Sequence, residues 1–322
     1  MNFKPIIVVA GEPRSIFFEI FFKALKFKKI KSPIILICSL NLLKNNMKKF
    51  NFKKKINNIQ FNSIKEYQLK NKSLNLINVK LNNYNSINKK KFVSKKYIER
   101  SFEIAFSIIK MGITDKLING PISKKTFLKG KFPGITEFVA NKFKIKKNAM
   151  LIFNKNISVC PITTHIPLKF VAKKINKKII KEKIYLINNF FQKKLKSRPK
   201  IAVLGLNPHC ESFDKNDEDK NIILPTINEL KKKKIKISGP YPADTIFLKK
   251  NRDQFDVIVG MYHDQVLSPL KTIFEYDAIN ITLGLPFIRI SPDHGPNEKM
   301  INKNLSNPLS LINALSFLDK KN

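Results

Sequence analysis

The chain has 322 residues, enough for about two domains, and 43% of them are hydrophobic, a globular composition that excludes a disordered protein. Lysine and arginine number 62 against 23 acidic residues, a formal net charge of +39. Three cysteines (Cys38, Cys160 and Cys210) form no CxxC pair, which excludes a disulfide framework and fits a reducing cytoplasm.

The charge raises the possibility of a nucleic-acid binder. Against it, only Arg14, Arg100, Arg198, Arg252 and Arg289 carry the forked donors best suited to bases and phosphates. The lysines are scattered through "KFKKIKS", "NKKKFVSKK", "KKINKKIIKEK" and "KKKKIKI" and form no single tail. The expectation is a solvated basic surface whose field concentrates small anions. A basic nucleic-acid-binding protein is kept as the reading from a different class.

Residues 2–10 read as a first strand, and "GEPRS" turns into a helix from about 15 to 27. The run "PIIVVAG" is too short for a secretory h-region, so no targeting segment is expected. "SIFFEIFFKAL" is very apolar, but Glu19 and Lys23 interrupt it, and a buried helix is expected in place of a membrane span. "SPIILICS" is a second strand, and residues 41–90 are rich in lysine and asparagine with short apolar runs. "SKKYIERSFEIAFSIIKMG" has helical spacing and stops at Gly112, a C′ glycine. "TDKLING" is a strand, and "GPISKKTF" turns into another helix.

The centre repeats one pattern three times. "ISVCPITT" precedes His165, "KIAVLGLN" precedes His209 and "FDVIVGMY" precedes His263, so three of only four histidines follow apolar strands. Alternating strands and helices predict an α/β fold, and parallel strands in such a sheet place their C-terminal ends on one ligand-binding edge. Three imidazoles converging there are a catalytic ligand set for a divalent ion. The alternative is three hydrogen-bonded strand-end residues, and no HExxH or HxH spacing decides between them.

"NITLGLPFIRISPDHG" supplies Asn280, Arg289, Asp293 and His294, and with Lys271 it offers two cations and an amide near the third histidine. Arg289 in an apolar run points either to bidentate grip of an anion or to a structural ion pair. "GPYPADTIF" is read as a loop in which Asp244 caps a helix.

At these residues the chain resembles the 4-hydroxythreonine-4-phosphate dehydrogenase family of vitamin B6 biosynthesis. The matching segments, in the family's order, are "GPISK", "GITEF", "TTHIPL", "GLNPH", "GPYPADT", "YHDQ", "LK" at 270–271 and "NITLGLPFIR" followed by "DHG". They span about residues 118 to 295, and "GEP" after the first strand fits more loosely.

The resemblance implies a two-domain α/β fold of the isocitrate and isopropylmalate dehydrogenase type with a cleft between domains. Residues 1–134 plus 272–322 would form the first domain, and 135–271 a second one carrying the metal ligands and the dimer interface. It implies a homodimer whose sites share residues, with His165, His209 and His263 as metal ligands and Thr136, Lys271, Asn280 and Arg289 as substrate-binding positions. NAD would bind without a GxGxxG fingerprint, against His294, Gly295 and Asn307. Zinc or cobalt suits three imidazoles better than magnesium.

The implied reaction is metal-dependent oxidation of 4-phosphohydroxy-L-threonine by NAD to a 3-oxo acid that decarboxylates. Lys271 and Arg289 would hold phosphate, and Asp264 would assist proton transfer. Ile135 stands where the family has a histidine, Pro296-Asn297 where it has Thr-Ala, and Asn302-Lys303-Asn304 where it has Gly-Lys-Gly. The glycine-rich stretch that follows "NPH" in the family is here "CESFDKNDED". The Ile135 departure motivates an alternative substrate, another hydroxy acid such as a phospho-tetronate.

Overall fold

The structure, a computed structural model, describes residues 3–81, 90–123, 127–128, 132, 134–212, 217–292 and 295–321, apart from the side chains of 90–93. The chain folds as two compact units, Met1–Ile135 with Pro286–Asn322, and Thr136–Leu285.

The first unit is built on parallel strands β1 (Ile6–Val9), β2 (Ile34–Cys38), β3 (Ile56–Asn58), β4 (Leu74–Asn78) and β5 (Lys116–Asn119), with β12 (Ile288–Pro292) contributed after the chain returns. Their order is β3-β4-β2-β1-β5-β12, and every pairing is parallel. β1 reads IIVV and β2 IILIC, and both are buried throughout. Such unbroken apolar runs are what central parallel strands, covered on both faces, require. β3 reads INN and is partly exposed, a short polar strand fit for an edge.

Helix α1 (Phe17–Phe27) buries Phe17, Phe18, Ile20, Phe21 and Phe22. It also buries Glu19, whose Oε1 accepts from Lys23 Nζ at 2.8 Å and from the Ser306 amide at 2.6 Å. Residues 41–90, opaque in sequence, contain β3, β4 and most of α2 (Leu40–Lys49), which Ser39 caps from its hydroxyl. Helix α3 (Lys90–Lys110) stops before Gly112, which takes φ +74, the left-handed end that the sequence predicts.

The second unit has strands β6 (Ala149–Phe153), β7 (Ser158–Thr163), β8 (Ile201–Leu204), β9 (Ile237–Tyr241), β10 (Val257–Tyr262) and β11 (Ile279–Leu283). The order is β11-β6-β7-β10-β8-β9. β6 runs antiparallel to both its neighbours, whereas β7, β10, β8 and β9 pair in parallel. Helices α4 (Ile135–Lys142), α5 (Lys177–Phe190), α6 (Leu224–Lys232) and α7 (His263–Phe274) accompany these strands. Val159, Ala202, Leu204, Ile258, Val266 and Leu270 form one buried cluster between the strands and α7. This unit extends to Leu285 because β11, beyond the return expected near residue 272, pairs with β6 along its whole length.

One reading is corrected. Asp244 caps no helix: Pro242 precedes the short turn Ala243–Ile246, Asp244 lies within its first turn, and no side chain closes it. Of the predicted turn into a helix at "GPISKKTF", Lys124, Lys125 and Thr126 lie outside the described residues. Among the described residues no helix is long and apolar enough to cross a membrane. The last helix, α8 (Leu309–Leu318), packs against α1 in the first unit.

Candidate functional site at the strand ends of the second unit

The three histidine-bearing strands are neighbours. β10 lies between β7 and β8, with Tyr262 opposite Thr163 and Val259 opposite Val203. All three run in the same direction, so their C-terminal ends open on one edge. His165 follows β7 by two residues, His209 sits in the turn Pro208–Cys210 after β8, and His263 is the first residue of α7.

The rings of His165 and His263 come within 5.6 Å, centroid to centroid, at 39°. His263 Nδ1 lies 2.6 Å from Asp264 Oδ1. A carboxylate on one ring nitrogen holds the imidazole with the other nitrogen, Nε2, directed elsewhere, the arrangement metal-binding histidines use. His165 and His209 adopt φ of 51° and 56°. This left-handed conformation is uncommon for residues other than glycine and recurs at functional sites.

Of the three imidazoles expected to converge, those of His165 and His263 are the pair that approach each other among the described residues. Among the described residues no three of His, Cys, Asp and Glu gather into a group that could hold a metal ion, so His209 does not join the pair within one chain. His165 and His209 are both exposed, and His263 is half-buried.

Two expected substrate positions, Thr136 and Asn280, lie on α4 and β11 of the same unit. Thr136 Oγ1, on α4, is 3.3 Å from Thr282 Oγ1 on β11. Asn280 lies two residues earlier on β11, on the same face as Thr282. Its Oδ1 is buried and accepts no hydrogen bond among the described residues. A buried amide oxygen left so is a group awaiting a donor. Lys271 is exposed in the last turn of α7. Eight residues of helical rise put its backbone about 12 Å beyond that of His263.

In the first unit Arg289, on β12, is fully buried, and its Nε donates to Asn119 Oδ1 at 2.7 Å. The partner is an amide, so the buried ion pair considered from sequence is not what this bond forms. Gly295 has open space around it, and Asn307 Oδ1 accepts from the Leu309 amide at the start of α8. Asp293 and His294 lie outside the described residues. Asn302 and Asn304 take φ of 79° and 55°, left-handed backbone that asparagine adopts more readily than most residues.

Sequence reasoning passed over Glu137, Thr163, Gln265 and Asp219. Glu137 Oε1 is 3.4 Å from Thr164 Oγ1, beside His165, while its Oε2 is buried with no partner among the described residues. Asp219, 1% exposed, accepts from the amides of Leu206 and Asn207 at 2.8 and 3.0 Å, in the loop leading to His209. The available signal was polarity inside the quoted segments "GITEF", "TTHIPL" and "YHDQ".

A family model, pyridoxal phosphate biosynthetic protein PdxA, matches residues 29–318. The chain belongs to the PdxA family. The family match starts after the first strand and "GEP", the part whose resemblance was loosest. A 4-hydroxythreonine-4-phosphate dehydrogenase of Sulfurihydrogenibium sp. (strain YO3AOP1) is 45% identical over 207 residues, 63% of this chain and 64% of that relative. The match thus spans just under two thirds of the relative's length. The solved 4-hydroxythreonine-4-phosphate dehydrogenase of Klebsiella pneumoniae is 27% identical, with a TM-score of 0.83 over 98% of this chain and 97% of that one. The isocitrate dehydrogenase of Methylococcus capsulatus, 12% identical with a TM-score of 0.51 over 99% of this chain and 85% of that one, shares the fold. The chain thus has the two-domain α/β fold of the isocitrate dehydrogenase type.

Proposed function

We propose that this chain is a metal-dependent, NAD-linked dehydrogenase that oxidises 4-phosphohydroxy-L-threonine to a 3-oxo acid, which then loses carbon dioxide, in the formation of pyridoxal phosphate. The observation that carries the reading is the approach of His165 and His263, on parallel strand ends, in a chain of the PdxA family. The relatives named above as 4-hydroxythreonine-4-phosphate dehydrogenases support the substrate.

The donor set fits a divalent ion such as zinc or cobalt: two imidazoles 5.6 Å apart, one of them braced by a carboxylate. His209 of a second copy completes the set, in a homodimer with shared sites. The exposure of His165 and His209 in a single chain supports this, as do Leu168 and Phe170, just after His165, which leave 68% and 44% of their surface in solvent. When bound, the ion supplies Lewis acidity at the substrate hydroxyl, and the nicotinamide accepts the hydride.

The chain's own groups do the rest. Asp264 holds the His263 ring, a role its geometry favours over the proton transfer expected from sequence. Thr136 and Asn280 orient the substrate's polar groups, and the unpartnered Asn280 Oδ1 takes a donor from it. Lys271 and Arg289 neutralise its phosphate and carboxylate. His294, Gly295 and Asn307 hold the cofactor. As the hydroxyl loses its proton to solvent, a hydride leaves the same carbon, and the ketone formed stabilises the carbanion left by decarboxylation.

The test is purified protein with NAD, 4-phosphohydroxythreonine and each of zinc, cobalt and magnesium. NADH formation is expected, and its absence with every ion refutes the assignment. Ile135, at the start of α4 beside Thr136, motivates a second reading in which the substrate is another phosphorylated hydroxy acid. A strong preference for a phospho-tetronate over the amino acid in the same assay would select it.

A further inference from the structure

The ladder that joins the three histidine-bearing strands runs out before the histidines. Between β8 and β10 the last paired residues are Val203 and Val259; β10 continues opposite β7 to Tyr262 and β8 opposite β9 to Leu204, but no ladder joins the β8 and β10 ends to each other. One side chain bridges the gap. Gln265, in the first turn of α7, accepts from the Met261 amide through Oε1 at 2.7 Å and donates from Nε2 to the Gly205 carbonyl at 2.8 Å. Met261 precedes His263 by two residues, and Gly205 precedes His209 by four.

The same residue reaches the third strand. The Met261 carbonyl accepts from Thr163 Oγ1 at 2.7 Å, and Thr163 precedes His165 by two residues. Past Gly205 the chain is held by Asp219, through the Leu206 and Asn207 amides. All three histidine-bearing ends are therefore tied together by bonds from side chains to main chain. Close backbone makes room for them: a Cβ on Gly260 would stand 2.9 Å from Gln265 Oε1, and one on Gly205 would stand 2.7 Å from Asp219 Oδ1.

We propose that Gln265 is a positioning residue of the metal site: without touching the ion, its amide fixes the β10 end against the β8 end, so that in the proposed homodimer His263 and His209 are each presented to the site they serve. The inference rests on the metal reading above. The bridge needs an acceptor and a donor on one planar group at once. Glutamine supplies both, glutamate lacks the donor, and leucine lacks both while keeping the volume. Left-handed backbone at His165 and His209 raises the demand, because strained conformations persist only where their surroundings over-determine them.

The experiment uses the full chain, stripped with a chelator and titrated with zinc against a competing dye. It compares wild type, Gln265→Leu, Gln265→Glu and, as a control on an exposed amide, Gln254→Leu. Zinc stoichiometry, zinc affinity and the melting temperature with and without zinc are read for each. Both Gln265 variants are expected to bind zinc about 10- to 100-fold more weakly, the range for groups that hold metal ligands in place, with Gln254→Leu unchanged. A purely structural amide would lower the melting temperature of the metal-free protein and leave zinc affinity alone. Zinc affinity within about twofold of wild type in whichever Gln265 variant folds overturns the proposal. If wild type itself binds no divalent ion, the metal reading fails, and this proposal falls with it for a reason the titration makes distinct.

Discussion

Arg289 Nε donates to Asn119 Oδ1 at 2.7 Å, and neither side chain reaches solvent. They stand on the paired parallel strands β12 and β5, and Asn119 Nδ2 also donates to the Gly120 carbonyl at 2.9 Å. Replacing Asn119 by leucine removes the acceptor of the buried Arg289 Nε–H, which costs more than the bond itself contributes. Asn119→Leu is expected to destabilise the protein by about 3 kcal/mol in urea unfolding. Arg289→Met keeps much of the volume and removes the charge, so it should cost less stability. In the proposed enzyme the same change should raise the substrate KM at least about tenfold, the loss of one charged hydrogen bond. A KM unchanged in Arg289→Met would confine Arg289 to the fold.

The His263–Asp264 pair separates two contributions to ion binding. His263→Ala removes a ligand, and zinc is expected to be lost from the purified protein by elemental analysis. Asp264→Asn keeps the shape and weakens the acceptor that fixes the ring, so zinc should remain but bind about tenfold more weakly. Full zinc occupancy in His263→Ala would remove this histidine from the ligand set.

How far the sequence discloses this site follows from what each part depends on. β1, β2 and β8 are unbroken apolar runs, β7 and β10 are buried and mostly apolar, and their character is local, so the strand ends and their histidines are legible from residue order alone. β3 and β4 have mixed, asparagine-rich sequences whose pairing depends on neighbours elsewhere in the chain. Gln265 and Asp219 are opaque for a related reason. Their partners are main-chain groups of Gly205, Met261, Leu206 and Asn207, and main-chain groups carry no sequence signature. Whether His209 joins His165 and His263 depends on tertiary geometry and, in the proposed homodimer, on a second copy.

The thiols offer a check on the interior. Cys38 and Cys160 are fully buried on β2 and β7. Burial in apolar surroundings raises both pKa values, that of Cys160 to about 12. Thiolate is the reactive form, so neither position should react with iodoacetamide at pH 7, and a rise to pH 9 should not expose them to it. Mass spectrometry should find both labelled only after denaturation. Labelling of Cys160 in the native protein at pH 7 would contradict the burial of β7.

Lys54 tests the cost of the basic surface. With Lys28, Lys29 and Lys72 it lines a cleft of about 390 Å³ in the first unit, floored by Leu25, Ile34 and Leu74. Partial burial lowers its pKa below the ordinary lysine value. A base with a depressed folded pKa carries a penalty that is complete below that pKa, where both folded and unfolded chains hold the proton. The penalty fades as pH rises toward the unfolded value near 10.5. Lys54→Met should therefore raise the melting temperature at pH 7, and the gain should shrink as the pH approaches about 10. The cause is burial and not a neighbouring charge, so the gain should persist in high salt. A variant that melts below wild type at pH 7, with the deficit unmoved by pH, would show that the Lys54 stem contributes more by packing than its charge costs.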